Sequence, residues 1–227
     1  NKEFYASGFS VGNHVWKGRY YLLGGLRYSG GLINWFKQNY REYKSKENWE
    51  AIQEEVREVE CGADGITVLP YWLGSNIPNK DSDVSGAILG LKPKHRPKHI
   101  LRSIYEGLSM EIKRVLNSLP DSLRPETIIS IGGPTDNSIW NQIKSNILNR
   151  PLEINKMDKA SAIGAAILAH GNKENTVKKF HDKVMQHQKT EIYKPQQAHA
   201  KSYEDIYSNY QDITYNFINS PTSKNIV

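Results

Sequence analysis

Gly86-Ala87-Ile88-Leu89-Gly90-Leu91, then the basic loop Lys92-Pro93-Lys94-His95-Arg96-Pro97-Lys98, then His99-Ile100-Leu101-Arg102-Ser103-Ile104-Tyr105-Glu106-Gly107: this stretch decides how the chain is read. It describes an apolar strand between two glycines, a loop holding two prolines, and the start of a helix. Gly86 and Gly90 let the backbone turn sharply or approach a neighbour closely. Pro97 suits a first helical turn, whose N–H would lack a partner in any case. Ser103 and Gly107 lie four residues apart, on one helical face, so that face permits close packing.

Working outward, the apolar spacing of Ile100, Ile104, Leu108, Ile112 and Val115 predicts a long helix from about Lys98 to Leu119, ended by Pro120, Asp121 and Pro125. Thr127 to Ile131 is β-branched and apolar, as a central parallel strand should be. It runs into Gly132-Gly133-Pro134, and a helix with Ile139, Trp140, Ile143 and Ile147 begins near Asp136 or Asn137. Leu152 to Ile154 reads as another strand, followed by a helix of small residues, Ala160 to Ala169, with Asp158 as its cap.

On the N-terminal side, Phe4 to Val11 reads as a strand and Val15 to Leu26 as a hairpin turning near Lys17-Gly18. Helices are expected after Ser29-Gly30-Gly31 and from about Lys46, with Trp49, Ile52 and Val56 on one face of the second. Ile66 to Leu69 reads as a short buried strand, and Pro70 to Asp83 as loop. From about Gly171 the chain reads as helical and more polar, with a stripe of Tyr203, Ile206, Tyr207, Tyr210, Ile213 and Phe217. Three β segments, helices and then strand–helix units imply an α/β layer with a mixed sheet.

At 227 residues and 38% hydrophobic content, the chain can bury a real core. No stretch approaches the ~20 apolar residues of a membrane span. A single cysteine, Cys61, forbids an internal disulfide and suits a reducing, cytoplasmic setting. The charge of +6 is dispersed among mixed acids and bases apart from the loop at Lys92–Arg102, which carries no interleaved aromatics. This argues against a nucleic-acid partner, which needs its basic residues focused on one face. The seven histidines show no metal-ligand spacing. Asp64, Asp81 and Asp83 sit among turn residues and are read as turn formers.

Chemistry is expected at Ile131-Gly132-Gly133-Pro134-Thr135-Asp136-Asn137. A buried strand stops at two glycines and hands over to a helix, and ligands of open α/β sheets bind at such carboxyl ends. Glycines leave room for a flat base or a phosphate, and the helix start offers unpaired N–H groups. Asn137 either caps the helix or uses its amide to read a base or ribose. A second small-residue turn, Ser29-Gly30-Gly31, precedes Leu32-Ile33-Asn34-Trp35. Asn34 is either an exposed helix residue or a ligand contact, and Trp35 is most simply core.

The set from Gly86 to Gly107 resembles, position by position, the second signature of the FGGY family of carbohydrate kinases. The glycine turn at Gly132-Gly133 is similar to that family's adenosine-binding loop, which implies nucleotide contacts from Gly132, Gly133 and Asn137. Pro134 stands where the family prefers Gly or Ala; it has no N–H, so a donor contact there is lost while a carbonyl contact survives. Gly30 and Asn34 resemble the family's second nucleotide turn. Leu69-Pro70-Tyr71-Trp72 resembles a xylulose-kinase-like branch, although Gly74-Ser75-Asn76 and Ser85 depart from the family pattern. The Ala160–Ala166 helix matches a small-residue helix of structural role.

The resemblance implies a ribonuclease-H-like, actin-like ATPase domain over residues 1–171 with a helical extension at 172–227 packing on it. It implies ATP or ADP with Mg²⁺, a sugar substrate, and a partner N-terminal kinase domain. It places the catalytic aspartate and the phosphate loops upstream, so this chain is expected to hold no catalytic residue and no metal site of its own. The tyrosine-rich stripe is read most simply as packing onto the domain, with a homodimer interface as its other reading. A non-catalytic actin-like regulator is the alternative.

Overall fold

The computed structural model describes residues 8–78, 80–156, 160–170, 174–186 and 189–224. The expected strand at Phe4–Val11 falls partly outside this range. The described strand β1 is Ser10–Asn13, and it pairs antiparallel with β2, Tyr20–Leu23. The hairpin turns near Lys17-Gly18 as expected, but its first strand is Ser10–Asn13, before Val15. His14 donates its backbone N–H to the Arg19 carbonyl at 2.9 Å, and Gly18 takes a positive φ of 77° in the turn.

Two helices follow. α1 is Gly30–Asn39, with Leu32 and Phe36 buried. α2 is Lys46–Arg57, and it starts where Ser45 accepts a hydrogen bond from the Asn48 N–H at 3.2 Å. That side-chain oxygen satisfies one of the unpaired donors of the first turn. β3, Thr67–Leu69, pairs antiparallel with β4, Ala87–Leu89.

The long helix α3 spans Pro97–Asn117. Gly107 lies where it crosses β3: a Cβ there would overlap the Val68 carbonyl. Gly90 has φ of +79°, and a Cβ on it would overlap the Gly65 carbonyl. These two glycines set the close approach expected of the Gly86–Gly107 stretch.

β5 is Ile128–Ser130, and α4 is Ser138–Leu148. β6, Leu152–Asn155, pairs parallel with β5 and antiparallel with β7, Thr190–Tyr193, giving a mixed sheet. Between them come α5, Ala160–His170, and α6, Glu174–Met185. Asp158, expected to cap α5, lies outside the described residues. The expectation of a central strand at Thr127–Ile131 is corrected: among the described residues β5 is an edge strand, and Ile129 is 60% exposed. The segment after residue 171 is not purely helical either, because β7 completes the sheet.

The last helix, α7, is Gln197–Asn219. Its Tyr203, Tyr207 and Tyr210 join the main core with α1, α2, α3 and α4. Two buried glutamates of α3 meet it. Glu106 Oε1 accepts from the Tyr203 hydroxyl at 2.7 Å, from Arg102 Nε at 2.7 Å and from the Gly62 N–H at 3.1 Å. Glu111 Oε1 accepts from the Tyr210 and Tyr71 hydroxyls, each at 2.9 Å, and Glu111 pairs with Arg114. Buried carboxylates held this way are costly to leave unpaired. The tyrosines of the aromatic stripe therefore pack on the chain's own core. In the basic loop, Lys94 pairs with Asp64 at 2.6 Å, while Arg102 turns inward to Glu106.

Candidate functional site

The two glycine turns, a hundred residues apart in sequence, open on the same cleft. Gly30 begins α1, and a Cβ on it would meet no heavy atom within 4 Å. Asn34 follows one turn later on the same face, as the i, i+4 spacing requires. Leu32 and Phe36 take the other face into the core, which aims Gly30 and Asn34 outward.

The second wall is the turn after β5. Gly132 adopts φ 89°, ψ −179°, a conformation open only to glycine. Its carbonyl accepts from the Thr135 N–H at 2.9 Å and from Thr135 Oγ1 at 2.6 Å, closing a short 3-10 turn over Gly133–Asp136. Pro134 lies in the backbone of that turn. Gly133 has open space where a Cβ would stand. Asn137 then caps α4, its Oδ1 accepting from the Trp140 N–H at 2.9 Å.

Asn137 has its other end committed as well. Its Nδ2 donates to Gln53 Oε1 at 3.0 Å and to the Tyr105 hydroxyl at 2.8 Å. Tyr105 in turn donates to Gln53 Oε1 at 3.0 Å and stacks on Trp140 with ring centroids 5.4 Å apart. Of the two roles open to Asn137, the cap is the one formed. It ties α2, α3 and α4 together at the floor of the cleft. Burial pushes the Tyr105 hydroxyl well above its ordinary pKa, so it is a neutral donor at any physiological pH. Gln53 Nε2 is buried there without a hydrogen-bond partner.

The cleft holds about 550 Å³. Gly30, Asn34, Gly133 and Asn137 line it; Gly132 fixes the turn from outside the lining. The sequence did not point to Lys37, Trp49, Gln53, Glu50 or Glu54, which also line it. Trp49 and Gln53 share a face of α2, and that i, i+4 spacing was the available signal. Lys37 lies 3.6 Å from the Trp49 ring centre, and burial lowers its pKa. Three carboxylates line it as well, and two of them are already paired, Glu54 with Arg57 at 3.0 Å and Glu50 with Lys46 at 3.8 Å. Its walls, small residues beside an aromatic ring and amide groups, suit a flat polar molecule. Among the described residues no three His, Cys, Asp or Glu side chains gather as metal ligands.

Residues 6–170 match the FGGY family of carbohydrate kinases, C-terminal domain. This chain belongs to that family. The FGGY domain described above is 30% identical over 158 residues to the xylulose kinase of Bacillus subtilis (strain 168), covering 69% of the chain and 31% of the relative. Ligand-bound xylulose kinase from Lactobacillus acidophilus superposes with a TM-score of 0.79 at 20% identity, covering 94% of this chain and 43% of that one. Plasmodium falciparum glycerol kinase, solved with ADP, gives 0.74 at 19% identity, again covering 94% and 43%. The α/β core with its mixed sheet is thus the actin-like ATPase fold of these kinases. The FGGY domain spans less than half the length of the relatives it matches. No described helix is long and apolar enough to cross a membrane.

Proposed function

We propose that this chain is the nucleotide-binding half of a cytoplasmic sugar kinase, which transfers the γ-phosphoryl group of ATP to a sugar hydroxyl. Xylulose or a similar pentulose is the first choice of substrate, and gluconate the second. The reading rests on one observation above the others: Gly30 with Asn34, and Gly133 with Asn137, converge on a single cleft from distant parts of the sequence. The open space at both glycines fits the nucleoside end of ATP or ADP.

Gly30 and Gly133 give backbone access, Asn34 offers its amide to base or ribose, and Gly132 with Pro134 holds the turn. Asn137 positions the walls. The chain offers no cluster of metal ligands among its described residues, so Mg²⁺ would arrive with the nucleotide phosphates and neutralise their charge. Phosphoryl transfer also needs a proton acceptor and phosphate loops, which the proposal assigns to a preceding N-terminal domain. Closure of two domains over the ligands is the motion this implies.

Calorimetric titration of ADP and ATP, with Mg²⁺, into this chain and into Gly30→Val and Gly133→Val tests the site. A Cβ at either position meets no heavy atom within 4 Å, although Gly133→Val also precedes Pro134, where backbone freedom narrows. Loss of binding in both supports the cleft. Unaltered affinity in both places the nucleotide elsewhere and overturns the reading. Turnover by the purified 227-residue chain in a coupled kinase assay would overturn its assignment as a half-enzyme.

A further inference from the structure

We propose that the basic loop joining β4 to α3 is a latch operated by protons: His95 and His99 each close a turn by accepting a backbone N–H, and protonation of the two rings opens both turns. The arrangement occurs twice in succession. The His95 N–H donates to the Lys92 carbonyl at 3.0 Å, and the Lys92 N–H donates back to His95 Nδ1 at 2.9 Å. Four residues on, the His99 N–H donates to the Arg96 carbonyl at 2.9 Å, and the Arg96 N–H donates back to His99 Nδ1 at 3.0 Å. Arg96 is the cap of α3 and His99 the third residue of the helix. Glu or Gln commonly makes this reciprocal bond. Here a titratable ring takes that place, twice.

A backbone N–H can only donate. In both turns Nδ1 therefore presents a lone pair, and the neutral ring carries its proton on Nε2. A proton added at Nδ1 sets N–H against N–H, and the turn cannot keep its bond. The His95 side chain is only 2% exposed, so water does not replace that bond while the turn stays shut. The two ring centres stand 5.5 Å apart, so charge on one ring resists charge on the other. In the first turn of α3, a charged His99 also opposes the positive end of the helix dipole.

One neighbouring group favours the proton. From the short turn at Ala63–Gly65, the Asp64 carboxylate lies 3.5 Å from His95 Nε2, and the Asp64 carbonyl lies 3.3 Å from the same atom. Asp64 also interacts with His99, and its hydrogen bond from Lys94 holds its carboxyl below the usual carboxylate range, so it is charged when imidazoles titrate. It attracts the His95 imidazolium at Nε2 and leaves the bond at Nδ1 unreplaced. The cations of the loop oppose it: Lys92, Lys94, Arg96 and, in the first turn of α3, Lys98. Arg96 bends back along the loop, Nη1 donating to the Pro93 and His95 carbonyls at 3.1 and 3.0 Å. Opening is local, because Tyr105 and Leu108 are buried deeper along α3. What the latch alters is how these four cations are presented at the start of the helix.

The test is amide hydrogen exchange, read by NMR at about pH 8 and about pH 5, on either side of the imidazole range. It uses the full 227-residue chain, His95→Gln and His99→Gln. Glutamine offers an acceptor oxygen that does not titrate. In the parent, protection of the Lys92 and Arg96 amides, corrected for the intrinsic rate, should fall about tenfold on acidification, the worth of one ordinary hydrogen bond. His95→Gln should abolish the fall at Lys92, and His99→Gln the fall at Arg96. Protection of Tyr105 and Leu108 should hold throughout. No fall in the parent, the same fall in the variants, or a fall shared by Tyr105 and Leu108, which is acid unfolding, overturns the latch. Ring-nitrogen shifts of the parent supply a readout that needs no variant. Both neutral rings should carry the proton on Nε2, and a proton on Nδ1 of either overturns the proposal.

Discussion

Arg102 and Tyr203 lie a hundred residues apart in sequence, yet Arg102 Nη2 donates to the Tyr203 hydroxyl at 2.8 Å. Tyr203 passes its own proton toward Glu106 Oε1 at 2.7 Å, and Glu106 also accepts from Arg102 Nε. The three side chains form a closed buried triangle joining α3 to α7. Burial pushes the Glu106 carboxyl up, opposed by the Arg102 charge and by the hydroxyl.

Tyr203→Phe removes the corner of that triangle without changing shape. The expected loss is about 2 kcal/mol, the usual worth of hydrogen bonds to charged groups. Urea unfolding should show a lower midpoint with an unchanged slope. Arg102→Met is harsher, about 4 kcal/mol at pH 7, because it leaves a buried carboxylate without its cation. The sign with pH follows. Glu106 has a raised folded-state pKa, so the folded protein holds its proton more tightly than the unfolded chain does, and stability falls as pH rises through that pKa. The Arg102→Met deficit should therefore shrink on acidification, and a pH-independent deficit would contradict this account.

Gly107→Ala places a methyl group against the Val68 carbonyl, where there is no room. Alanine gains helix propensity of about 1 kcal/mol. Forcing α3 away from β3 costs more, so a net loss of about 2 kcal/mol is expected. A stabilised Gly107→Ala variant in thermal unfolding would show that the helix does not lean on the strand as described.

Lys144 is buried on α4 with its ammonium 4.6 Å from the Trp140 ring centre and no carboxylate pair among the described residues. Burial pushes its pKa down to about 8. Between that value and 10.5 the unfolded chain binds more protons than the folded one, so stability rises with pH across this window. Lys144→Met should stabilise the protein at pH 7 by about 2 kcal/mol. The advantage should close as pH climbs from 8 toward 10.5, which chemical denaturation at a series of pH values will read.

Asn137 separates into two functions by substitution. Asn137→Ser keeps a cap oxygen for the Trp140 N–H but loses the amide that reaches Gln53 and Tyr105. It should cost less stability than Asn137→Ala, which loses about 1 kcal/mol more with the cap. Both should weaken ADP binding to a similar degree, because both release the α2 wall of the cleft. Full ADP affinity in Asn137→Ser would show that the cap alone organises the site.

Local rules carried much of this fold. Pro97 marks the start of α3, and the paired glycines mark both walls of the cleft. What failed has a physical reason in each case. β7 is four residues long, with Ile192 54% exposed, so its only strong signal is pairing with β6, which no local pattern announces. β5 reads as a buried strand because its residues are apolar, yet apolarity cannot say which neighbour covers an edge. Lys37, Trp49 and Gln53 line the cleft only because α1 and α2 pack beside the turn at Gly133. Asn137 was legible as a cap or a ligand contact, and only three-dimensional neighbours choose between them.

The tyrosine contacts from α7 bear on how such a chain is made. α3 carries two carboxylates whose phenolic partners at 203 and 210 emerge from the ribosome nearly a hundred residues later, at the usual pace some 5 to 20 seconds afterwards. During that interval Glu106 and Glu111 have their arginines, and Glu111 the Tyr71 hydroxyl, but not the hydroxyls of the final helix. The domain cannot reach its final core by simple N-to-C accretion; its last helix arrives as a bolt across a layer already laid down.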